Sequence, residues 1–162
     1  MMHGTTATGV EYVKDGQTHV ARAERETGVS REGKVVHVRM TAIRSHFAPD
    51  NIEGVQLGDT VLFHAAAGGV GLLFGQWAKA RGYKVIGTVS SPEKAALAKK
   101  NGYKWVIDYT KQNIVEEVKK ITKGKGVPVV VDGVGKDTWA ASLDCLQPRG
   151  LMVSFGNASG PV

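Results

Sequence analysis

Val61-Leu62-Phe63-His64-Ala65-Ala66-Ala67-Gly68-Gly69-Val70-Gly71 is the stretch on which the fold turns. A short apolar run opens into a glycine-rich turn. From Val70, apolar residues recur at Leu72, Leu73, Trp77 and Ala80 with helical spacing until Gly82, whose tolerance of positive φ suits a helix stop. The unit predicted is strand, turn, helix. Within it Ala66-Ala67-Gly68-Gly69-Val70-Gly71 has the spacing G-x-G-x-x-G, with alanine in the first glycine position. In this context the spacing has a physical meaning. Gly68 lets the backbone approach a pyrophosphate, the helix N-terminus supplies free N–H groups and positive potential, and Gly71 permits close packing of helix on strand. The competing reading is a tight turn that binds nothing.

The rhythm continues outward. Val85-Ile86-Gly87-Thr88-Val89 is a buried-strand run, and Ser91-Pro92-Glu93 supplies an N-cap, a proline at the first helical position and a first-turn acid for a helix ending near Gly102. Trp105-Val106-Ile107 is a third strand. Ile114, Val115, Val118 and Ile121 place one apolar face on a helix that also carries a Glu116-to-Lys120 pair. Val129-Val130-Val131 is a fourth strand with Pro128 at its start, Trp139, Leu143 and Leu146 mark another helix, and Leu151-Met152-Val153-Ser154-Phe155 is a fifth strand ending at Gly156. Alternation of this kind predicts an α/β fold, a doubly wound parallel sheet of about five strands with helices on both faces. Ligands of such sheets bind at the carboxyl ends of the strands. The loops at Ala65 to Gly71, Val89 to Lys94, Tyr109, Gly133 to Gly135 and Phe155 to Ser159 are therefore expected on one rim.

The end of the second strand bears on the choice of dinucleotide. An NAD site would carry Asp or Glu about 20 residues after the glycines to bind the ribose 2'-hydroxyl. Here the residues are Val89-Ser90-Ser91, with Lys94 just beyond. Small hydroxyls and a lysine accept a 2'-phosphate that a carboxylate would repel, which favours NADPH. Lys94 is alternatively an exposed first-turn lysine.

Composition narrows the function classes. The chain has 162 residues, 42% hydrophobic and 22% charged, as expected of an ordinary globular protein of one domain, or of one domain with an appendage. No run approaches the apolar length of a membrane helix, and Met1-Met2-His3-Gly4-Thr5 lacks the layout of a secretory signal, so a cytoplasmic protein is expected. Cys145 is the only cysteine, which closes off an intrachain disulfide and a Cys-rich zinc site. Residues 1–56 carry seven Lys/Arg and seven Asp/Glu, leaving fourteen against eight in 57–162, the whole excess of +6. The lysines fall at helix ends and turns instead of in one arginine-rich stripe, so a solvated basic surface is preferred over RNA binding.

HAAAGGVG, GTVSSPEK, Ile107-Asp108-Tyr109, VVVDGVGKDTW and above all SLDCLQPRGLMVSFGNASG resemble the zeta-crystallin-like NADPH:quinone oxidoreductases of the medium-chain dehydrogenase/reductase superfamily. The resemblance runs from about Val55 to Val162. It implies that Ala67 is a cofactor-binding residue, that Gly68, Gly69 and Val70 lie on the pyrophosphate, and that Ser90, Ser91, Lys94 and Tyr109 surround the adenosine phosphate. It further implies that Gly133, Val134, Phe155, Gly156 and Asn157 approach the nicotinamide half. Without the family, Tyr109 reads as a partly buried core tyrosine and Phe155 as a core strand residue. The implied activity is metal-free hydride transfer from NADPH to a quinone or other small electrophile. No catalytic residue is assigned, and a homodimer is left open.

The first 56 residues depart from the family. Gly4, Ala7, Gly9, Val10, Asp15-Gly16 and Thr18-His19-Val20 resemble the end of a glycine-rich stretch of its GroES-like substrate domain, and most of that domain is absent. Residues 1–56 are expected to be a rearranged remnant with a hairpin at Asp15-Gly16 and a strand at Val36 to Met40. Residues 57–162 are expected to be an NADP-binding Rossmann-like domain that ends before a sixth strand, leaving an exposed sheet edge. The chain thus reads as a fragment of such an enzyme. A non-catalytic NADPH-binding or RNA-binding module is the alternative. Other catalytic signatures fail: no Tyr-x-x-x-Lys is present, Gly135-Lys136 lacks the rest of a P-loop, and Gly156-Asn157-Ala158-Ser159-Gly160 has the wrong spacing for a nucleophile elbow. His64 reads as a structural residue lining the first turn, and Cys145 as a core residue.

Overall fold

The computed structural model describes residues 55–162 in full and, before them, the backbone of five strands: β1 (His3–Thr5), β2 (Val10–Lys14), β3 (Gln17–Ala21), β4 (Ala23–Arg31) and β5 (Lys34–Thr41). There follow β6 (Thr60–Phe63), α1 (Gly69–Ala80), β7 (Lys84–Val89), α2 (Pro92–Lys100), β8 (Trp105–Asp108), α3 (Ile114–Ile121), β9 (Val127–Asp132), α4 (Lys136–Cys145) and β10 (Leu146–Ser154). Five parallel strands lie in the order β10-β9-β6-β7-β8. In this sheet the chain leaves β6 in one direction through β7 and β8, then returns to the other side of β6 for β9 and β10. The crevice where the order reverses lies between β6 and β9, as the doubly wound reading requires.

Alternation along the strands sorts the side chains into two cores. Val61, Phe63, Val85, Val89, Val129, Val131 and Val153 pack with Phe74 and Ala78 of α1 and Ala98 of α2. Leu62, Ile86, Ile107, Val130 and Met152 face the other way, against Val118 of α3 and Leu143 and Cys145 of α4. Cys145 is thus a core residue, as expected.

The approach of α1 to the sheet rests on three glycines and one tyrosine. A Cβ built on Gly71 would lie 2.6 Å from the Ala66 carbonyl oxygen, one on Gly75 2.5 Å from Tyr103 Cε2, and one on Gly87 2.6 Å from both Ala66 Cβ and Tyr103 Cδ1. The Tyr103 ring is wedged between helix and strand, and its hydroxyl donates to the Gly71 carbonyl at 2.7 Å. Burial pushes its phenol up, well beyond the ordinary range.

The structure corrects three expectations. Leu146 does not extend α4: its backbone is already extended, and it is buried as the first residue of β10. Lys120 hydrogen-bonds Glu117 at 2.6 Å, the i,i+3 partner on the helix surface, and Glu116 acts on it only through charge. Finally, the edge beyond β10 is not open. β5 lies against it in parallel, Leu151 opposite His37 through Ser154 opposite Met40, and β4 and β1 extend the sheet antiparallel. The expected hairpin is present, β2 pairing with β3 from Val10–Ala21 to Lys14–Gln17 across Asp15-Gly16; Asp15 and Gly16 themselves lie outside the described residues.

Two substitutions test the α1 contact by chemical unfolding. Gly87→Ala should cost at least about 2 kcal/mol, because neither Ala66 nor the wedged Tyr103 has room to retreat. Tyr103→Phe should cost about 1 kcal/mol, the worth of its hydrogen bond. A Gly87→Ala protein as stable as the parent would show that the contact is looser than described.

Candidate functional site at the carboxyl ends of the strands

The turn after β6 begins under strain. Ala65 has φ +58, a left-handed conformation unfavourable for a residue with a Cβ. It is held by Thr88 at the end of β7: the Ala65 N–H donates to the Thr88 hydroxyl at 3.3 Å and the Ala66 N–H to the Thr88 carbonyl at 3.0 Å. Gly68 closes the turn on the Ala65 carbonyl at 2.9 Å and is the N-cap of α1. This helix start has no side-chain cap and no acid in its first turn. By contrast, Ser91 caps α2 by accepting from the Lys94 N–H, and Asn113 caps α3 by accepting from the Glu116 N–H. The N–H groups of the first turn of α1 therefore offer a positive, uncapped end. Gly68, Gly69 and Val70 are exposed there and Ala67 is half-buried. A Cβ added to Gly69 would meet nothing within 4 Å, whereas Gly71 has no room for one.

A second glycine turn lies across the crevice. Gly135, at φ +89, is the N-cap of α4 and likewise makes no side-chain cap. A Cβ there would sit 2.7 Å from the Gly160 carbonyl oxygen. The segment after β10 is laced to this turn: Ser159 N donates to the Val134 carbonyl at 2.8 Å, Ala158 N to the Gly133 carbonyl at 3.3 Å and Lys136 N to the Gly160 carbonyl at 3.1 Å. Gly133, Val134 and Gly156 are half-buried and Asn157 is exposed. Phe155 turns its ring into the core, 5.9 Å from Phe63 and over Gly133. Its side chain thus fits the core reading as well as the family one.

At the ends of β7 and β8, Ser90, Ser91, Lys94 and Tyr109 come together. Lys94 Nζ donates to the Ser90 hydroxyl at 2.9 Å, and the Tyr109 N–H donates to the Val89 carbonyl at 3.1 Å. Tyr109 is half exposed, which does not match a core tyrosine. Glu93 shares this corner. The Ser91 hydroxyl and its own backbone N–H hold its carboxyl below the usual range, with Lys111 assisting.

Beneath the rim lies a group of polar side chains that the sequence reading had not assembled. His64, Thr88 and Asp132 end three adjacent strands and point to the same face, and Thr138 and Ser142 of α4 cover them; all five are buried. Asp132 Oδ1 accepts from the Val134 N–H at 2.7 Å and the Gly135 N–H at 3.1 Å, and Oδ2 from the hydroxyls of Thr138 at 2.6 Å and Ser142 at 2.9 Å. Because the Ser142 proton goes to Asp132, its oxygen accepts from His64 Nε2 at 2.9 Å. His64 Nδ1 then accepts from the Thr88 hydroxyl at 3.0 Å, and this assigns the Nε2–H tautomer. Burial lowers the His64 pKa to about 4, against the opposing pull of Asp132. The signal was present in the sequence: at or next to the end of each apolar run a polar residue, His64, Thr88 or Asp132, falls in the phase that faces α3 and α4.

The five parallel strands and their four helices form a Rossmann-like α/β fold whose two glycine turns meet at the strand-order reversal. Residues 69–162 match the family model described as zinc-binding dehydrogenase, and the chain belongs to that family. It is 65% identical over 105 residues to a quinone oxidoreductase of Pseudomonas aeruginosa, a match spanning 65% of this chain and 32% of that protein. A 2-haloacrylate reductase of a Burkholderia species is 54% identical over 106 residues, 65% of this chain and 32% of the relative. Among solved structures, Escherichia coli quinone oxidoreductase complexed with NADPH superposes with a TM-score of 0.68 at 56% identity, over 70% of this chain and 35% of that one. The resemblance drawn from the sequence is thereby borne out. The chain matches these relatives over about a third of their length.

The family's description names zinc, but the described residues do not fit a zinc site. They contain no group of three or more His, Cys, Asp or Glu side chains able to hold a metal ion, Cys145 is in the core, and both nitrogens of His64 are engaged. Among the described residues no helix is long and apolar enough to cross a membrane.

The state of His64 carries a pH dependence. Its folded pKa lies below the unfolded value of 6.5, so between about pH 6.5 and 4 the unfolded chain binds a proton that the folded one refuses. Stability from this residue is full above pH 6.5 and is lost as pH falls towards 4, by at most about 3 kcal/mol. Chemical unfolding at pH 7 and pH 4.5 should show a smaller acid loss in His64→Gln than in the parent. Equal losses would mean that His64 protonates freely in the folded state.

Proposed function

We propose that this chain supplies the cofactor-binding domain of an NADPH-dependent reductase that passes hydride to a quinone or another small electrophilic acceptor. The observation that carries the reading is the uncapped, acid-free start of α1, opened by Gly68-Gly69 with empty space over Gly69, beside a second glycine turn at Gly135 whose first helical N–H groups are taken up by the Gly160 carbonyl and the Ser159 hydroxyl. Both lie at the strand-order reversal. Relatives described as quinone oxidoreductases support the acceptor class, and the NADPH complex of one of them supports the cofactor. The 2-haloacrylate reductase supports a broader class of activated double bonds.

On this reading Ala67, Gly68, Gly69 and Val70 hold the pyrophosphate, since backbone N–H groups at a helix start bind an anion without a charged side chain. Ser90 and Lys94 receive the 2'-phosphate, with Ser91 and Tyr109 flanking the adenosine. Glu93 opposes that charge in part, so the preference for NADPH rests on Lys94. Gly133, Val134, Gly156, Asn157 and the backbone of Phe155 form the nicotinamide side. When bound, NADPH supplies the hydride, and the protein contributes orientation and a dry wall. Residues 57–162 form the cofactor-binding unit of this proposal.

Calorimetry with NADPH and NADH tests the reading. The parent should bind NADPH more tightly, and Lys94→Ala should narrow the gap by about 1 to 2 kcal/mol, typical of a charged hydrogen bond. Gly69→Val, whose Cβ would meet nothing within 4 Å, should stay folded and lose NADPH binding at least tenfold. Unchanged NADPH affinity in a folded Gly69→Val protein would place the site elsewhere. NADPH oxidation with a simple benzoquinone, in this chain and in a full-length relative, then separates a catalytic protein from a binding module.

A further inference from the structure

The buried polar row joins the two glycine turns of the rim through one continuous set of bonds. It starts at the strained Ala65, whose N–H rests on the Thr88 hydroxyl, and passes through His64 and Ser142 to Asp132. It ends on the Val134 and Gly135 N–H groups. From Ala65 to Asp132 every donor points the same way, each hydroxyl accepting on one side and donating on the other, and the Val134 and Gly135 N–H groups donate to Asp132 from the opposite end. No buried side-chain N or O among the described residues lacks a partner, so loss of one link cannot be absorbed by a spare group nearby.

We propose that Thr88, His64, Ser142, Thr138 and Asp132 are positioning residues that set the 133–135 turn against the 65–68 turn, so that a dinucleotide spanning the crevice meets both in register. The inference rests on the NADPH reading above and adds a role for side chains that touch no ligand. Asp132 acts through the backbone. Its Oδ1 fixes two consecutive N–H groups of the second turn, while its Oδ2 is anchored by two hydroxyls from α4. The ligand half that depends on this arrangement is the nicotinamide half. The adenosine half, held at the ends of β7 and β8, does not.

The experiment compares two probes on the full chain, NADPH and 2',5'-ADP, the second carrying only the adenosine half. Thr138→Val keeps the shape of the side chain and removes one donor to Asp132, and Ser142→Ala breaks the row at its centre. Thermal unfolding reports whether each variant is folded, and Thr138→Val is the milder change should Ser142→Ala not fold. Both variants should weaken NADPH at least fivefold and leave 2',5'-ADP within twofold, and Ser142→Thr should restore part of the NADPH loss. Amide hydrogen exchange at Val134 and Gly135, measured without ligand, should quicken in both. A purely structural role would lower the unfolding temperature while leaving the ratio of the two affinities unchanged, and that outcome overturns the proposal. If the parent protein binds neither probe, the NADPH reading fails and takes this inference with it, a result distinct from binding of both with an unmoved ratio.

Discussion

Asp132 ends β9 fully buried, and a carboxylate so placed must be satisfied from within the protein or be strongly destabilising. Four donors meet it, two backbone N–H groups from the turn that follows and two hydroxyls from α4. The shape of the 133–135 turn and the seating of α4 follow from that requirement, while burial keeps His64 neutral against the pull of the carboxylate. A polar group buried at the end of a strand is a common cost; here it is placed where the backbone leaves the sheet and changes direction. The carboxylate acts as a template for the turn.

The opposite side of the crevice is shaped by steric closeness instead of charge. Gly71, Gly75 and Gly87 leave no room for side chains, so α1 comes down onto β6 and β7 with the Tyr103 ring filling the remaining gap. That approach brings the N-terminus of α1 to the end of β6, with the turn strained at Ala65 and pinned by Thr88. One turn is therefore positioned by hydrogen bonds to a buried carboxylate and the other by glycine packing. His64 and Ser142 lie between them and belong to both systems.

Much of the parallel sheet was legible in the sequence, because each apolar run of β6, β7, β8, β9 and β10 is bounded by a glycine, a cap residue or a proline with a local physical meaning. The caps at Ser91 and the stops at Gly82 and Gly102 are decided within a few residues, and local rules suffice for them. The grouping of Ser90, Lys94 and Tyr109 also followed, since strand ends of one parallel sheet share a rim. The buried row did not follow. His64 and Ser142 are 78 residues apart, and only the combination of strand order, face and α4 placement brings them into contact. Tyr103 was missed for a similar reason: its place depends on two glycines, one in a helix and one in a strand. The partner of the β10 edge is likewise a matter of long-range pairing, as β5 precedes β6 in the chain and joins the sheet on its far side.

In the proposed function a single nucleotide spans both glycine turns. Amide chemical shifts followed by NMR during NADPH titration test it residue by residue in the folded protein. The expected result is saturable shifts at Gly68, Gly69 and Val70 and, in the same titration, at Val134, Gly135 and Asn157, with the outer surface of α3 unmoved. Shifts confined to one of the two turns, or concentrated on α3, would contradict it.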